Sequence, residues 1–504
     1  MADYKSEFDD ATINQPATQD RTASVDEALV FLKDHEEHAI TDEATLKAIR
    51  RKVDWRISPI LACVFLVQNL DKFALNYAAV MGLQKDLQLK GNDFTNVATA
   101  FFVAFIIVEI PNIYIIQKVP AAKWLAINVC LWGIATACTA ATTNFGSLLA
   151  CRILLGIFEA TTLPSSQTIT AQWYTKAEAA PRYAYWMIGN AGAQTLGGLI
   201  SFGFQHMKGG AISGWRTMFI LFGILTVLVA ATVALFVPDT PMQAKFLSDE
   251  EKVSLLKHVS VNKTGVRNRK FKPEEIWEAA RDPQIWLFGI ATICFASSSG
   301  IITTYSATLI RNMGFTPKEA ALLNMPAGVV SLVAILGAAY GIRFTPGHHR
   351  WFWIGFPALI AALGAGLMSF LPASNKAGLL VGIWLINCIT ACLTLTYHYA
   401  SVNVSGHTKR SFAANTIAVC FGLGNIVGPQ SFQARDAPDY IPAKIMTLAT
   451  EAATALIMTM LMLYYVWENK KRNRLDLGDQ GSERDEEVWA GLTDRKNKNW
   501  RYVY

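Results

Sequence analysis

Four ionisable side chains stand where an apolar sequence leaves little room for them. Asp71 and Lys72 are adjacent in Leu66-Val-Gln68-Asn69-Leu70-Asp71-Lys72-Phe73, and Arg152 and Glu159 belong to Arg152-Ile-Leu-Leu-Gly156-Ile-Phe-Glu159. Consecutive helical residues point about 100° apart, so Asp71 and Lys72 reach toward different neighbours rather than toward each other. Positions seven apart share a helix face at a separation of about 10 Å, which sets Arg152 and Glu159 on one stripe. The complementary crossing pairs are Asp71 with Arg152 and Lys72 with Glu159. Such a set suits the uptake and release of protons and the holding of a small charged solute. It does not suit catalysis, since the sequence offers neither a nucleophile with an adjacent base nor a metal triad. An enzyme, a metal centre and a cofactor are therefore not expected.

Around these charges lie neutral groups that could hydrogen-bond a polar solute: Asn76, Asn190, Gln194, Tyr305 and Asn387. Hydroxyls and amides in apolar helices also simply tie helices together, and both readings stay open for each residue. Glu109, two residues before Pro111, lies toward the inner end of its segment and reads as a gate or structural acid. Lys118 and Arg350 sit in short basic turns that recur after the second and eighth apolar segments. They are either gating contacts or plain topology signals.

These residues need long apolar helices to position them, and the composition supplies such helices. Of 504 residues, 52% are hydrophobic and 17% charged, against about 25% charged in an ordinary soluble protein. A soluble enzyme is excluded. The net charge of +6 does not point to nucleic acid, because the basic residues cluster beside apolar segments. Hydropathy places spans near 57–80, 94–116, 123–142, 147–170, 183–205 and 215–237, then near 284–306, 318–342, 351–371, 378–400, 411–429 and 444–467. The expected organisation is an amino-terminal tail over 1–56, a six-helix half over 57–237, a central loop over 238–283, a second six-helix half over 284–467, and a tail over 468–504. Short loops balance in Lys and Arg. The clusters before span 1, in the central loop and after span 12 share one side, which predicts both termini in the cytosol. The eight cysteines fall within apolar stretches and read as packing residues.

Several short runs, in order along the chain, resemble the major facilitator superfamily and, within it, the fungal allantoate permease group of anion:cation symporters. They are Leu70-Asp71-Lys72-Phe-Ala-Leu-Asn76-Tyr77-Ala78, Glu109-Ile-Pro111-Asn112, the Arg152, Gly156, Glu159, Pro164 series, Trp173-Tyr174, Gly214-Trp215-Arg216, Pro238-Asp239-Thr240-Pro241 and Asn425-Ile-Val-Gly428-Pro429. The resemblance implies an all-helical, twelve-span carrier acting as a monomer in the plasma membrane. It would move a small organic anion, such as a ureido acid or a carboxylated vitamin, with the proton gradient as its energy source. Asp71 and Glu159 would then carry protons, while Lys72 and Arg152 hold the anion or release the acids. Two departures matter. The loop after span 2 reads Gln117-Lys118-Val-Pro120-Ala-Ala-Lys123, without the usual glycine and aspartate, and span 5 lacks the glycine-proline motif of drug:proton antiporters. The second favours uptake over efflux, although an exporter of a carboxylated secondary metabolite would use the same fold.

Overall fold

The computed structural model describes residues 43–206, 212–260, 273–345, 349–437, 439–475, 493–497 and 500–504. Most of the amino-terminal tail, part of the central loop and 476–492 lie outside the described residues. Where hydrocarbon offers no partner for backbone N–H and C=O groups, a chain must satisfy them within each segment, and helices do so. The described residues hold helices and no strand. Among the described residues, ten helices are long and apolar enough to cross a membrane. Predicted spans 2 and 5 fall on two further helices, Asp93–Lys118 of 26 residues and Lys176–Phe204 of 29, which at 1.5 Å per residue exceed the ~30 Å hydrocarbon thickness.

The other spans are Glu43–Val80 (span 1), Ala121–Thr139 (span 3), Phe145–Trp173 (span 4), Gly214–Phe236 (span 6), Pro283–Asn312 (span 7), Pro317–Ile342 (span 8), Arg350–Phe370 (span 9), Lys376–Asn403 (span 10), His407–Gln430 (span 11) and Ile441–Leu475 (span 12). Span 1 begins earlier than hydropathy indicates. Its first turns are rich in strong helix formers, bury Ile49, Val53 and Ile57, and are pinned by Arg50 to Glu178 and Asp54 to Arg182, each at 2.6 Å.

Spans 4 and 10, which occupy corresponding places in the two halves, are both interrupted midway. Span 4 breaks after Glu159, where Pro164 has no N–H for the Ala160 carbonyl. Asn112 of span 2 stabilises the break, accepting from Thr161 Oγ1 at 3.1 Å and from Trp124 Nε1 at 2.8 Å. In span 10 a 3₁₀ turn over Asn387–Ile389 separates two α-helical pieces. Close approach of helices depends on glycine at two places in particular. A Cβ on Gly156 would fall on the Phe101 carbonyl oxygen, and one on Gly428 on the Ser297 carbonyl oxygen.

Hydrogen bonds joining the two halves gather at the end of the bundle away from the chain termini. Asn76 Nδ2 donates to Ser306 Oγ at 2.7 Å, and Asn76 Oδ1 accepts from the Ala307 N–H at 3.1 Å. Thr95 and Tyr305 hydroxyls lie 2.6 Å apart, Asn324 donates to Tyr77 Oη at 3.2 Å, and Asn92 donates to Gln433 at 2.6 Å. At the terminal face, ion pairs run within each half. The central loop divides accordingly: Glu251 pairs with Lys52 of the first half, and Glu278 and Asp282 with Lys409 of the second. Residues 493–497 and 500–504 also dock on the second half, through Asp494 to Lys409 at 2.8 Å and through Tyr502 stacked on Tyr465 at 4.8 Å.

Candidate functional site

Between the halves, level with the broken spans, lies a cavity of about 120 Å³. The first half lines it with Gln68, Asn69 and Lys72 of span 1, Glu109 of span 2 and Asn190 of span 5. The second half adds Ser299 and Thr303 of span 7 and Asn387, Thr390 and Tyr397 around the 3₁₀ turn of span 10. Apolar rings of Phe65, Phe73, Phe105, Phe295 and Phe421 close the wall. A larger cavity of about 470 Å³ between spans 1, 5 and 6 is lined almost wholly by aliphatic side chains and holds none of this chemistry.

Lys72 Nζ lies 2.9 Å from Glu159 Oε1, so one of the two crossed pairs is made. Asp71 and Arg152 interact across a longer distance without an ion-pair contact. Asp71 Oδ1 accepts a hydrogen bond from Thr136 of span 3 at 3.3 Å, and its Oδ2 has no partner. Arg152 places its guanidinium 5.8 Å from the Phe219 ring centroid, with Nε and Nη2 unpartnered. Asp71, Arg152 and Glu159 are all enclosed by protein. Lys72 is the member of the foursome that reaches the cavity.

The neutral candidates separate into two groups. Asn190 and Asn387 line the cavity. Asn190 donates to Asn69 Oδ1 at 2.8 Å, and Asn387 Nδ2 donates back to the Ile383 carbonyl at 2.9 Å. Asn76 and Tyr305 instead belong to the ties between the halves, and Gln194 is wholly buried with both side-chain amide atoms unpartnered. Among the expected gate residues, Glu109 lies in the cavity wall, with Oε2 buried and unpartnered. Lys118 packs over the Tyr114 ring at 5.6 Å. Arg350, at the start of span 9, buries Nη1 without a partner. Sequence reasoning passed over Glu451 of span 12, which is fully buried with both carboxyl oxygens unpartnered. An acid well inside its span, where the other charged side chains of spans 7 to 12 stand near span ends, was the available signal.

The remaining shared runs hold the scaffold. Asp239 of Pro238-Asp239 accepts from the Lys123 backbone at 3.2 Å and pairs with its ammonium at 2.9 Å. Trp215 donates to Asp86 at 2.8 Å, and Arg216 donates to the Ala140 carbonyl. A model of the Major Facilitator Superfamily matches residues 61–429. The chain belongs to the major facilitator superfamily. Its similarity to superfamily members from Saccharomyces cerevisiae extends over most of each chain. A thiamine pathway transporter is 37% identical over 465 residues, covering 90% of this chain and 86% of its own. An allantoate permease is 30% identical over 494 residues, covering 95% and 90%. The crystal structure of a D-xylose-proton symporter shares the superfamily fold with a TM-score of 0.61 at 14% identity, over 80% of this chain and 97% of that one. The protein is thus a multi-pass membrane transporter of the major facilitator superfamily, grouped with fungal carriers, and not an enzyme.

Proposed function

We propose that this transporter takes up a small organic anion together with protons, by alternating access, as a monomer in the plasma membrane with the terminal face in the cytosol. The observation that carries this reading is Lys72. It presents the base of a buried ion pair to a polar cavity between the halves, while its acid, Glu159, stays enclosed. A substrate carboxylate entering the cavity competes with Glu159 for Lys72, and a proton taken up by an acid of this set resolves the competition in favour of the substrate. Asp71 and Arg152 form a second acid and base behind the first. Amides of Asn69, Asn190 and Asn387 suit a ureido or carboxamide group, and the phenylalanine rings suit a flat or apolar remainder. Closure of the end away from the termini, with the cavity between the halves, is the geometry of a carrier turned toward the terminal face. The relative named for allantoate, a ureido carboxylate, supports an anion of this size.

The test is uptake of labelled allantoate and of a labelled pyridine carboxylate at two external pH values, in cells expressing the wild type, Asp71→Asn or Glu159→Gln. Faster uptake at the lower pH, lost in one or both variants, is expected. Uptake indifferent to pH and to both substitutions overturns the coupling, and accumulation directed outward favours an exporter.

A further inference from the structure

Five ionisable groups meet at the cavity and directly behind it: the acids Asp71, Glu109 and Glu159, and the bases Lys72 and Arg152. Three acids face two bases, so the fully ionised set carries one negative charge in excess. An uncompensated charge at membrane depth is costly, and a proton removes it. Asp71 and Glu159 do not line the cavity, whereas Glu109 does, with Oε2 buried and unpartnered. A proton arriving through the cavity reaches Glu109 without a relay.

We propose that Glu109 is the carboxylate that takes up the coupled proton, and that the loss of its negative charge lets Lys72, still beside Glu159, attract the substrate anion. The proposal rests on the reading of the protein as a proton-coupled anion carrier. The groups that interact with Glu109 are Lys72 of span 1 and the phenol of Tyr397 of span 10, with the Cys420 thiol of span 11 beside that phenol, while Glu159, Asp71 and Arg152 are linked to it through Lys72. Lys72 interacts with both Glu109 and Glu159. With Glu109 ionised, two carboxylates share one ammonium and the cavity repels an anion. When a proton from outside water bonds to the Glu109 carboxylate, that negative charge disappears, and a monocarboxylate restores it at Lys72. The charge of the site is then the same empty and loaded. On the inner side the anion leaves and the proton returns to water. One proton accompanies one monovalent anion, and the cycle is electroneutral.

The test uses the purified full chain and infrared difference spectra between neutral and acidic buffer, with wild type, Glu109→Gln, Glu109→Asp, Asp71→Asn and Glu159→Gln compared after size-exclusion chromatography. A protonated-carboxyl C=O band that grows on acidification is expected in wild type, in Asp71→Asn and in Glu159→Gln. It should be absent in Glu109→Gln and return at a shifted pH in Glu109→Asp. Persistence of the band in Glu109→Gln, or its loss only in Asp71→Asn or Glu159→Gln, overturns the assignment. In proteoliposomes, labelled allantoate adds a second readout: Glu109→Gln should lose at least 10-fold in accumulation driven by a pH gradient. Gradient-driven accumulation equal to wild type overturns the assignment. Wild-type vesicles that ignore allantoate overturn the proposed substrate, while the infrared result still decides Glu109.

Discussion

Lys72 and Glu159 are 2.9 Å apart but unequally placed, the lysine side chain 20% exposed at the cavity and the carboxylate wholly enclosed. The asymmetry makes the pair separable from one side. Whatever enters the cavity meets the base first, and the acid is left for the protein to neutralise.

Removing one partner should therefore hurt stability more than removing both. Lys72→Met strands the Glu159 charge, and breaking a buried pair in this way costs about 3–5 kcal/mol. Glu159→Gln keeps shape and removes the charge, so its loss should be smaller, and Lys72→Met with Glu159→Gln should recover part of the deficit. Thermal unfolding of the four purified proteins in one detergent gives the ranking. A double variant less stable than Lys72→Met alone would refute it.

Packing at the crossings of spans 2 with 4 and 7 with 11 should be intolerant of a single methyl. Gly156→Ala and Gly428→Ala each drive a Cβ onto a backbone carbonyl of the neighbouring span, and such overpacking costs about 1–3 kcal/mol. Gly203→Ala, which meets nothing within 4 Å, is the matched control and should melt with the wild type. Equal melting temperatures for all three would show that the crossings relax freely.

Loss of the Asn76 side chain should loosen the closed end. Asn76→Ala deletes two hydrogen bonds between the halves, each worth about 0.5–1.5 kcal/mol. Spin labels at the exposed positions Lys90 and Arg435, one on each half, should report a second, longer distance in the Asn76→Ala background. A single unchanged distance would mean that Tyr305, Tyr77 and their partners hold the end closed by themselves.

On the terminal face, Lys409→Met should be far more damaging than Asp494→Asn. Lys409 is fully buried among Glu278, Asp282 and Asp494, at 3.0, 2.7 and 2.8 Å. Its loss leaves three carboxylates facing one another, whereas Asp494→Asn leaves Lys409 two acids to pair with. Expression level and melting temperature of both variants provide the comparison, and a larger drop for Asp494→Asn would contradict it.

The sequence revealed the spans because hydrocarbon thickness imposes a length and a composition on each, and these are local properties. It also suggested the pairing of Lys72 with Glu159, since the spacing of Arg152 and Glu159 on one stripe constrains which charges can meet. What it left open depends on rotation and on distant partners. Glu109 reads as a gate acid from its height in span 2, but its direction around the helix axis puts it in the cavity wall. Asn76 and Tyr305 read as solute contacts because polar groups that bind a ligand and polar groups that bind another helix look alike in one dimension. The Lys409 cluster draws its acids from Glu278, Asp282 and Asp494, far from it along the chain, and no periodicity announces such a meeting.

The paired interruptions of spans 4 and 10 have a mechanical meaning. An unbroken rod passes a push at one end to the other as a rigid tilt. A rod jointed at mid-height can swing its lower segment while its upper segment stays seated. Both joints border the same cavity, through Leu163 just past the break after Glu159 and through Asn387 and Ile389 of the 3₁₀ turn, so each half is jointed at the height of that cavity.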